Sequence, residues 1–325
     1  MRYRKLGSTD LKVSEVGVAV AGLTGGRAPR ADEDVLHLLR RALDLGITFF
    51  DTEDAGGDDG RGETLLGETL RRERERVTVA TTFGYRPLSP LEQATSGERR
   101  RHDWSVEWAG RALDQSLSRL GLEPVDLWQL HHPGMAAIES DELFEFLDQQ
   151  IAKGKIRAYG VALGPGTGWA DEGIAALRER RVATVRTRYS VFEQDPGREL
   201  AVVAAETGSG MVARMPVDPG SPDPRLRHLE FLTADRDQTL GQALVRFALA
   251  LPPVASVLPV FGDEGRLAEL AIASDLHDLT QEDLDQIAER YETGFALPER
   301  GEGGGRGERG ERGGRGERAD VEDEA

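Results

Sequence analysis

A chain of 325 residues, 38% hydrophobic and 30% charged, has the composition of a soluble globular protein with room for one large core. Its formal net charge of -17 disfavours nucleic acid and anionic membrane surfaces as partners, because a phosphate-binding face needs a positive field. No apolar run reaches the roughly 18 residues of a membrane span, no apolar signal region opens the chain and there is no cysteine, so a cytoplasmic protein without disulfides, thiolate chemistry or cysteine-bound metal is expected.

A short hairpin is expected around Leu6 to Val13, after which β-rich apolar runs alternate with longer amphipathic ones. EVGVAVAG precedes DEDVLHLLRRALDLG, ITFFDTE precedes GETLLGETLRRE, and RVTVATTFG precedes SVEWAGRALDQSLSRLG. VDLWQLHH, IRAYGVAL, VATVRTRYS, GMVARMPV and ASVLPVFG continue the series, each followed by a helical pattern. Eight strand–helix pairs in this order predict an α/β fold, a closed parallel (β/α)8 TIM barrel, whose chemistry belongs at the C-terminal ends of the strands. Thr280, three residues before Asp283, reads as the cap of an extra C-terminal helix. The expected barrel covers residues 1–298, and the glycine-, arginine- and glutamate-rich stretch 299–325 reads as a disordered acidic tail. ERRRHDW reads as a solvated loop in which Asp103 or Ser105 caps the next helix.

The runs RKLGSTDLKVSEVG, ITFFDT, GRGETLLGETL, SLSRLGLEPVDLWQLHHP, GKIRAYGV and TRYSVFEQ make the chain resemble the aldo-keto reductases over nearly all of residues 1–295. The resemblance implies carbonyl reduction by NADP or NAD, with an Asp, Tyr, Lys and His at the barrel mouth. The aspartate matches Asp51 and the histidine matches His131. The place of the tyrosine falls at or near Gly56, and no tyrosine occurs between Asp51 and Gly84. Thr82 stands where the lysine would end the third barrel strand, and Lys153 and Lys155 belong to the opposite face. The carboxamide-holding pair after the fifth strand becomes Ala162 and Leu163, which cannot make those hydrogen bonds. The sixth strand presents Arg186 and Arg188 in place of Gln and Glu, and the loop after the eighth strand presents Asp263 and Glu264, which repel a phosphate. Gly262 and Arg266 in that loop, together with Arg214 and Arg186, are the residues left to contact a cofactor, while Arg186, Arg188 and His131, with Arg214 as a fourth contact, are expected either to line a pocket for an anionic ligand or simply to neutralise Asp51 and Glu53.

A buried Asp51 without its lysine needs another cation, and Arg186 or Arg188 is expected to supply it. Tyr85 is either a replacement acid or a loop aromatic over the mouth, and His132 is expected to face outward or to begin the next loop. No spacing supports a metal site built from His131, His132 and Asp51. Three functions remain: a nicotinamide oxidoreductase with altered acid catalysis, an inactive barrel binding an anionic metabolite or a protein partner, and a cofactor-free lyase or isomerase with His131 as base. Ordinary reductase activity is expected to be absent or very low.

Overall fold

Hydrophobic β-branched runs build one parallel sheet in the computed structural model, which describes residues 1–25, 30–54, 60–98, 100–164, 169–214, 223–234 and 236–295. The sheet strands are β3 (Val18–Ala19), β4 (Phe49–Asp51), β5 (Thr78–Phe83), β8 (Val125–His131), β9 (Ile156–Ala162), β10 (Thr184–Arg188), β11 (Gly210–Arg214) and β12 (Val254–Leu258). They pair in chain order from β3 to β12, every pair parallel. Val16 bridges back to Val257, with Gly17 N–H donating to the Val257 carbonyl at 2.9 Å and Val257 N–H to that of Glu15 at 2.9 Å, which closes the barrel. The antiparallel hairpin β1 (Tyr3–Lys5) and β2 (Lys12–Ser14) lies where the sequence expects it. Its Leu6, Leu11 and Val13 pack with the inward residues Phe49, Ala80, Leu127, Ala158 and Val212, plugging the barrel bottom with apolar side chains.

The helices that follow the strands are α2 (Asp32–Asp44), α3 (Arg61–Leu70), α5 (Val106–Leu120), α7 (Asp141–Ala152), α8 (Ala170–Arg178), α9 (Gly197–Thr207), α10 (Leu240–Leu249) and α11 (Glu264–Ile272). Single turns α1 (Ala21–Thr24) and α6 (Met135–Ile138) and a short α4 (Pro90–Ser96) sit in the connections. The extra helix α12 (Gln281–Glu292) begins at Thr280 with the reciprocal cap read from the sequence: the Thr280 hydroxyl accepts from Asp283 N–H at 3.2 Å, and the Asp283 carboxylate accepts from Thr280 N–H at 2.9 Å.

One expectation is corrected. ERRRHDW is not simply a solvated loop: Arg100–His102 forms β7, paired antiparallel with β6 (Tyr85–Pro87) in a ribbon over the barrel top. The pairing is short and arginine-rich, so it leaves no apolar periodicity in the sequence. Ser105 does cap α5, accepting from Trp108 N–H at 3.2 Å. Gly56 and the expected tail 299–325 lie outside the described residues.

Candidate functional site

Side-chain alternation turns the charged and polar residues at the upper ends of the barrel strands inward, one step above the apolar plug. Asp51, the last residue of β4, is 2% exposed and accepts from the Gln129 amide at 3.0 Å and from the Arg186 guanidinium. Arg186, 4% exposed on β10, also reaches Glu53 at 3.5 Å. The cation expected beside Asp51 is therefore Arg186. Arg188 instead pairs with Glu193 at 2.8 Å, so it is not a second cation for Asp51. Burial pushes the Asp51 carboxyl up from its ordinary range, and the Arg186 charge opposes that.

His131 ends β8 beside this pair, with Nδ1 3.4 Å from the Thr82 hydroxyl and Nε2 3.7 Å from Glu53 Oε1. Burial, followed by the Arg186 charge, holds its pKa well below the ordinary histidine value, so the ring is neutral at pH 7. His132 lies just past the end of β8 and begins the next loop, one of the two places the sequence offers for it. Its backbone turns left-handed at φ 57, and its ring lies against Tyr85 and His131 over the mouth. His132 N–H donates to the Ala162 carbonyl at 2.8 Å, which anchors the turn, and the Tyr85 hydroxyl lies 3.1 Å from His132 Nδ1. Burial, with Arg186 next, lowers His132 to about 4. Tyr85 meets the His131 ring edge-on with centroids 5.3 Å apart, and burial, then Glu53, raises its phenol above the ordinary value. Alternation backward from His131 would have pointed to Gln129 as an inward partner of Asp51; the left-handed turn at His132 has no comparable sequence signal.

A second buried group lies behind the mouth. Glu63 of α3 is fully buried, accepts from Thr81 Oγ1 at 2.7 Å and pairs with Arg119 at 2.6 Å. Asp54, 7% exposed, lies near it, and its Oδ1 has no hydrogen-bond partner among the described residues. Burial, then the Glu63 charge, pushes the Asp54 carboxyl well above its usual range.

The recess at the mouth has a volume of about 70 Å³ and is lined by Ala19, Asp51, Glu53, Arg186, Arg214 and Phe261 among others. Arg214 ends β11 with an exposed side chain and no ion-pair partner among the described residues. The loop leading into α11 is organised differently. Asp263 caps α11 by accepting from Arg266 N–H at 2.8 Å, Glu264 pairs with Arg41 at 2.8 Å, and the Arg266 guanidinium pairs with Glu269. The Gly262 carbonyl accepts from Arg30. Gly262 is thus engaged by Arg30 from the connection before α2, and Arg266 within its own helix.

These residues do not fit the nicotinamide dinucleotide phosphate that the sequence resemblance implies. A carboxylate occupies the N-terminal N–H of α11 that a phosphate would use, and a second carboxylate follows it. Ala162 and Leu163 are buried apolar side chains, and Leu163 N–H is already given to the Arg186 carbonyl at 2.8 Å, so a carboxamide has no side-chain partner there.

The aldo/keto reductase family model matches residues 16–292. The 6-dehydroglucose reductase of Novosphingobium aromaticivorans is 34% identical over 205 residues, 59% of this chain and 61% of that protein, so the chain spans less than two thirds of that relative's length. The uncharacterized oxidoreductase YqkF of Bacillus subtilis is 28% identical over 310 residues, 88% of this chain and 95% of that one. Among solved structures, the holo form of aldo-keto reductase AKR11C1 from Bacillus halodurans superposes with a TM-score of 0.73 at 25% identity, covering 89% of this chain and 96% of the other. The glycerol dehydrogenase AKR11B4 from Gluconobacter oxydans, at 20% identity and a TM-score of 0.74 over 91% and 97% of the two chains, shares the fold.

Proposed function

Because the chain belongs to the aldo/keto reductase family, we propose that it is a member in which ordinary nicotinamide-driven carbonyl reduction is absent or very low, and whose mouth binds a small polar or anionic ligand. The ion pair between Asp51 and Arg186 carries this reading. A phenol with an ordinary pKa near 10 gives up its proton readily only beside a cation that favours the phenolate. Here the cation facing Asp51 is an arginine shared between two carboxylates, and the chain has no tyrosine between Asp51 and Gly84. The poor fit to a nicotinamide cofactor points the same way. The ligand is taken to be a small molecule, with nucleic acid and membrane surfaces set aside on the charge of -17 and a cytoplasmic setting adopted as part of the proposal. Among the described residues, no helix is long and apolar enough to cross a membrane.

Titrating the protein with NADPH and NADH, followed by tryptophan fluorescence and calorimetry, tests the proposal when paired with a turnover assay on a panel of carbonyl compounds. Sugar-derived carbonyls head that panel because one relative is a 6-dehydroglucose reductase. No binding at millimolar cofactor and no turnover is the expected result. Micromolar binding with turnover would overturn it in favour of a second reading, an oxidoreductase in which Tyr85, edge-on to His131, acts as the acid.

A further inference from the structure

We propose that the recess beside the Asp51 and Arg186 pair binds a small zwitterion, an amino acid of the size of glycine or alanine, with its carboxylate on Arg214 and its ammonium on Glu53. The inference rests on the preceding reading that no nicotinamide occupies the mouth, and it names the ligand class of that same site.

Charge within the recess is unevenly matched, and the mismatch selects the ligand. Asp51 and Glu53 share the single guanidinium of Arg186, which contacts Asp51 closely and reaches Glu53 Oε1 only at 3.5 Å. His131 Nε2 is 3.7 Å from the same Oε1, and its neutral ring adds no charge. Glu53 Oε2 has no partner among the described residues, and the side chain is 13% exposed, so this carboxylate keeps a free acceptor at the recess. Arg214 lines the same recess and pairs with no carboxylate among the described residues, while Arg188, its neighbour on the adjoining strand, is taken by Glu193. A carboxylate short of a cation and a guanidinium short of an anion thus line one space without meeting. A simple carboxylate satisfies only the guanidinium and a simple amine only Glu53. A molecule carrying both groups satisfies both and leaves the net charge of the recess unchanged. The fold itself does not require an arginine at 214, since β11 pairs through its backbone and the Arg214 carbonyl accepts from Tyr189 N–H at 3.2 Å.

Size and surface narrow the class. The volume of about 70 Å³ is roughly half the ~150 Å³ that encloses a benzene molecule, so the recess takes a glycine or an alanine and not a dinucleotide. The rest of its lining is apolar: Leu23 and Phe261 are buried there, and Val260 is left 49% exposed. The methyl group of alanine covers part of that surface, which glycine cannot do, whereas a charged side chain facing it loses hydration without a partner.

The full chain, with no nicotinamide added, is titrated by calorimetry with L-alanine, with propionate and with ethylamine, the last two being alanine without its ammonium and without its carboxylate. Alanine is expected to bind in the millimolar range or tighter, and at least about tenfold more tightly than either fragment, because each fragment forgoes one charge-assisted hydrogen bond. Arg214→Gln and Glu53→Gln each weaken alanine about tenfold with a folded thermal transition retained, the first without weakening ethylamine and the second without weakening propionate. Gly22 also lines the recess and a Cβ there meets no atom within 4 Å, so Gly22→Leu, which alters neither charge, lowers alanine binding by crowding alone. No heat from alanine at tens of millimolar overturns the proposal, as does propionate or ethylamine binding as tightly as alanine. If alanine fails and NADPH neither binds nor turns over, this inference falls and the preceding reading stands. If NADPH turns over with a carbonyl compound, the preceding reading falls, and this inference with it, whatever alanine does.

Discussion

At position 186 an arginine takes up charge that the barrel would otherwise bury unpaired. Replacing it by methionine leaves Asp51 facing Gln129 alone and Glu53 with a distant histidine. Breaking a buried pair from one side costs about 3–5 kcal/mol, because the stranded charge has no solvent. Arg186→Met is therefore expected to lose about that much stability in chemical denaturation, and adding Asp51→Asn should recover most of it. Equal losses in the single and double variants would mean that Arg186 acts through packing. Asp54 poses the opposite case. Its folded pKa is raised, so the fold prefers the protonated carboxyl: that preference contributes fully below the ordinary carboxylate value and is lost as pH rises through the raised folded value. At pH 7.5 the group thus destabilises the fold, and Asp54→Asn should raise the Tm by about 1–3 °C. The gain should shrink as pH falls to about 4.5. A gain that widens toward acid in scanning calorimetry would refute the assignment.

Among the elements, the β6–β7 ribbon carries Tyr85 to the mouth, and Gly84 sets its direction. Gly84 sits at φ 133, and a Cβ there would lie 2.3 Å from the Trp104 ring, which itself packs edge-on against Phe83. Gly84→Ala meets both a backbone conformation that L residues avoid and an aromatic wall. It should shift the ribbon, visible as changed His131 and His132 side-chain signals by NMR, while the barrel transition drops by only a few degrees. Unchanged histidine signals would mean that Tyr85 is positioned by other contacts. The same ribbon marks the limit of what the sequence discloses. The eight barrel strands are legible because their β-branched runs end in helical patterns, and Thr280 with Asp283 announces α12. Asp51 and His131 are legible as candidate site residues by resemblance, and Arg186 as a cation by the charge that Asp51 needs. Arg100–His102 pairs as a strand through backbone groups that any side chain can carry, and the left-handed His132 depends on an Ala162 carbonyl distant in sequence. Neither leaves a local pattern to read.

Over the whole molecule, two kinds of charge respond differently to salt. Deep pairs lock the barrel bottom: Glu15, 2% exposed, accepts from Arg2, Arg4 and Arg246, and Asp126, fully buried, pairs with Arg74 and Arg157 at 2.8 and 2.9 Å. Burial raises the Glu15 carboxyl, but its three arginines outweigh that and hold it below the usual range. Buried pairs of this kind are little screened. The acidic excess of -17 lies in a chain whose core is apolar, so it repels itself mainly across the surface and is screened once the Debye length falls from about 30 Å at 0.01 M to about 8 Å at 0.15 M salt. The exposed pairs, such as Lys155 with Asp114 at 2.7 Å and Arg178 with Glu206 at 3.2 Å, weaken over the same range, but each is worth only about 0–1 kcal/mol. Relief of the net repulsion should therefore win, and Tm should rise by a few degrees between these two salt concentrations in sodium chloride. A fall in Tm would show that the surface pairs act as a network stronger than their separate worth, and would shift the account of this barrel's stability from its buried arginines to its surface.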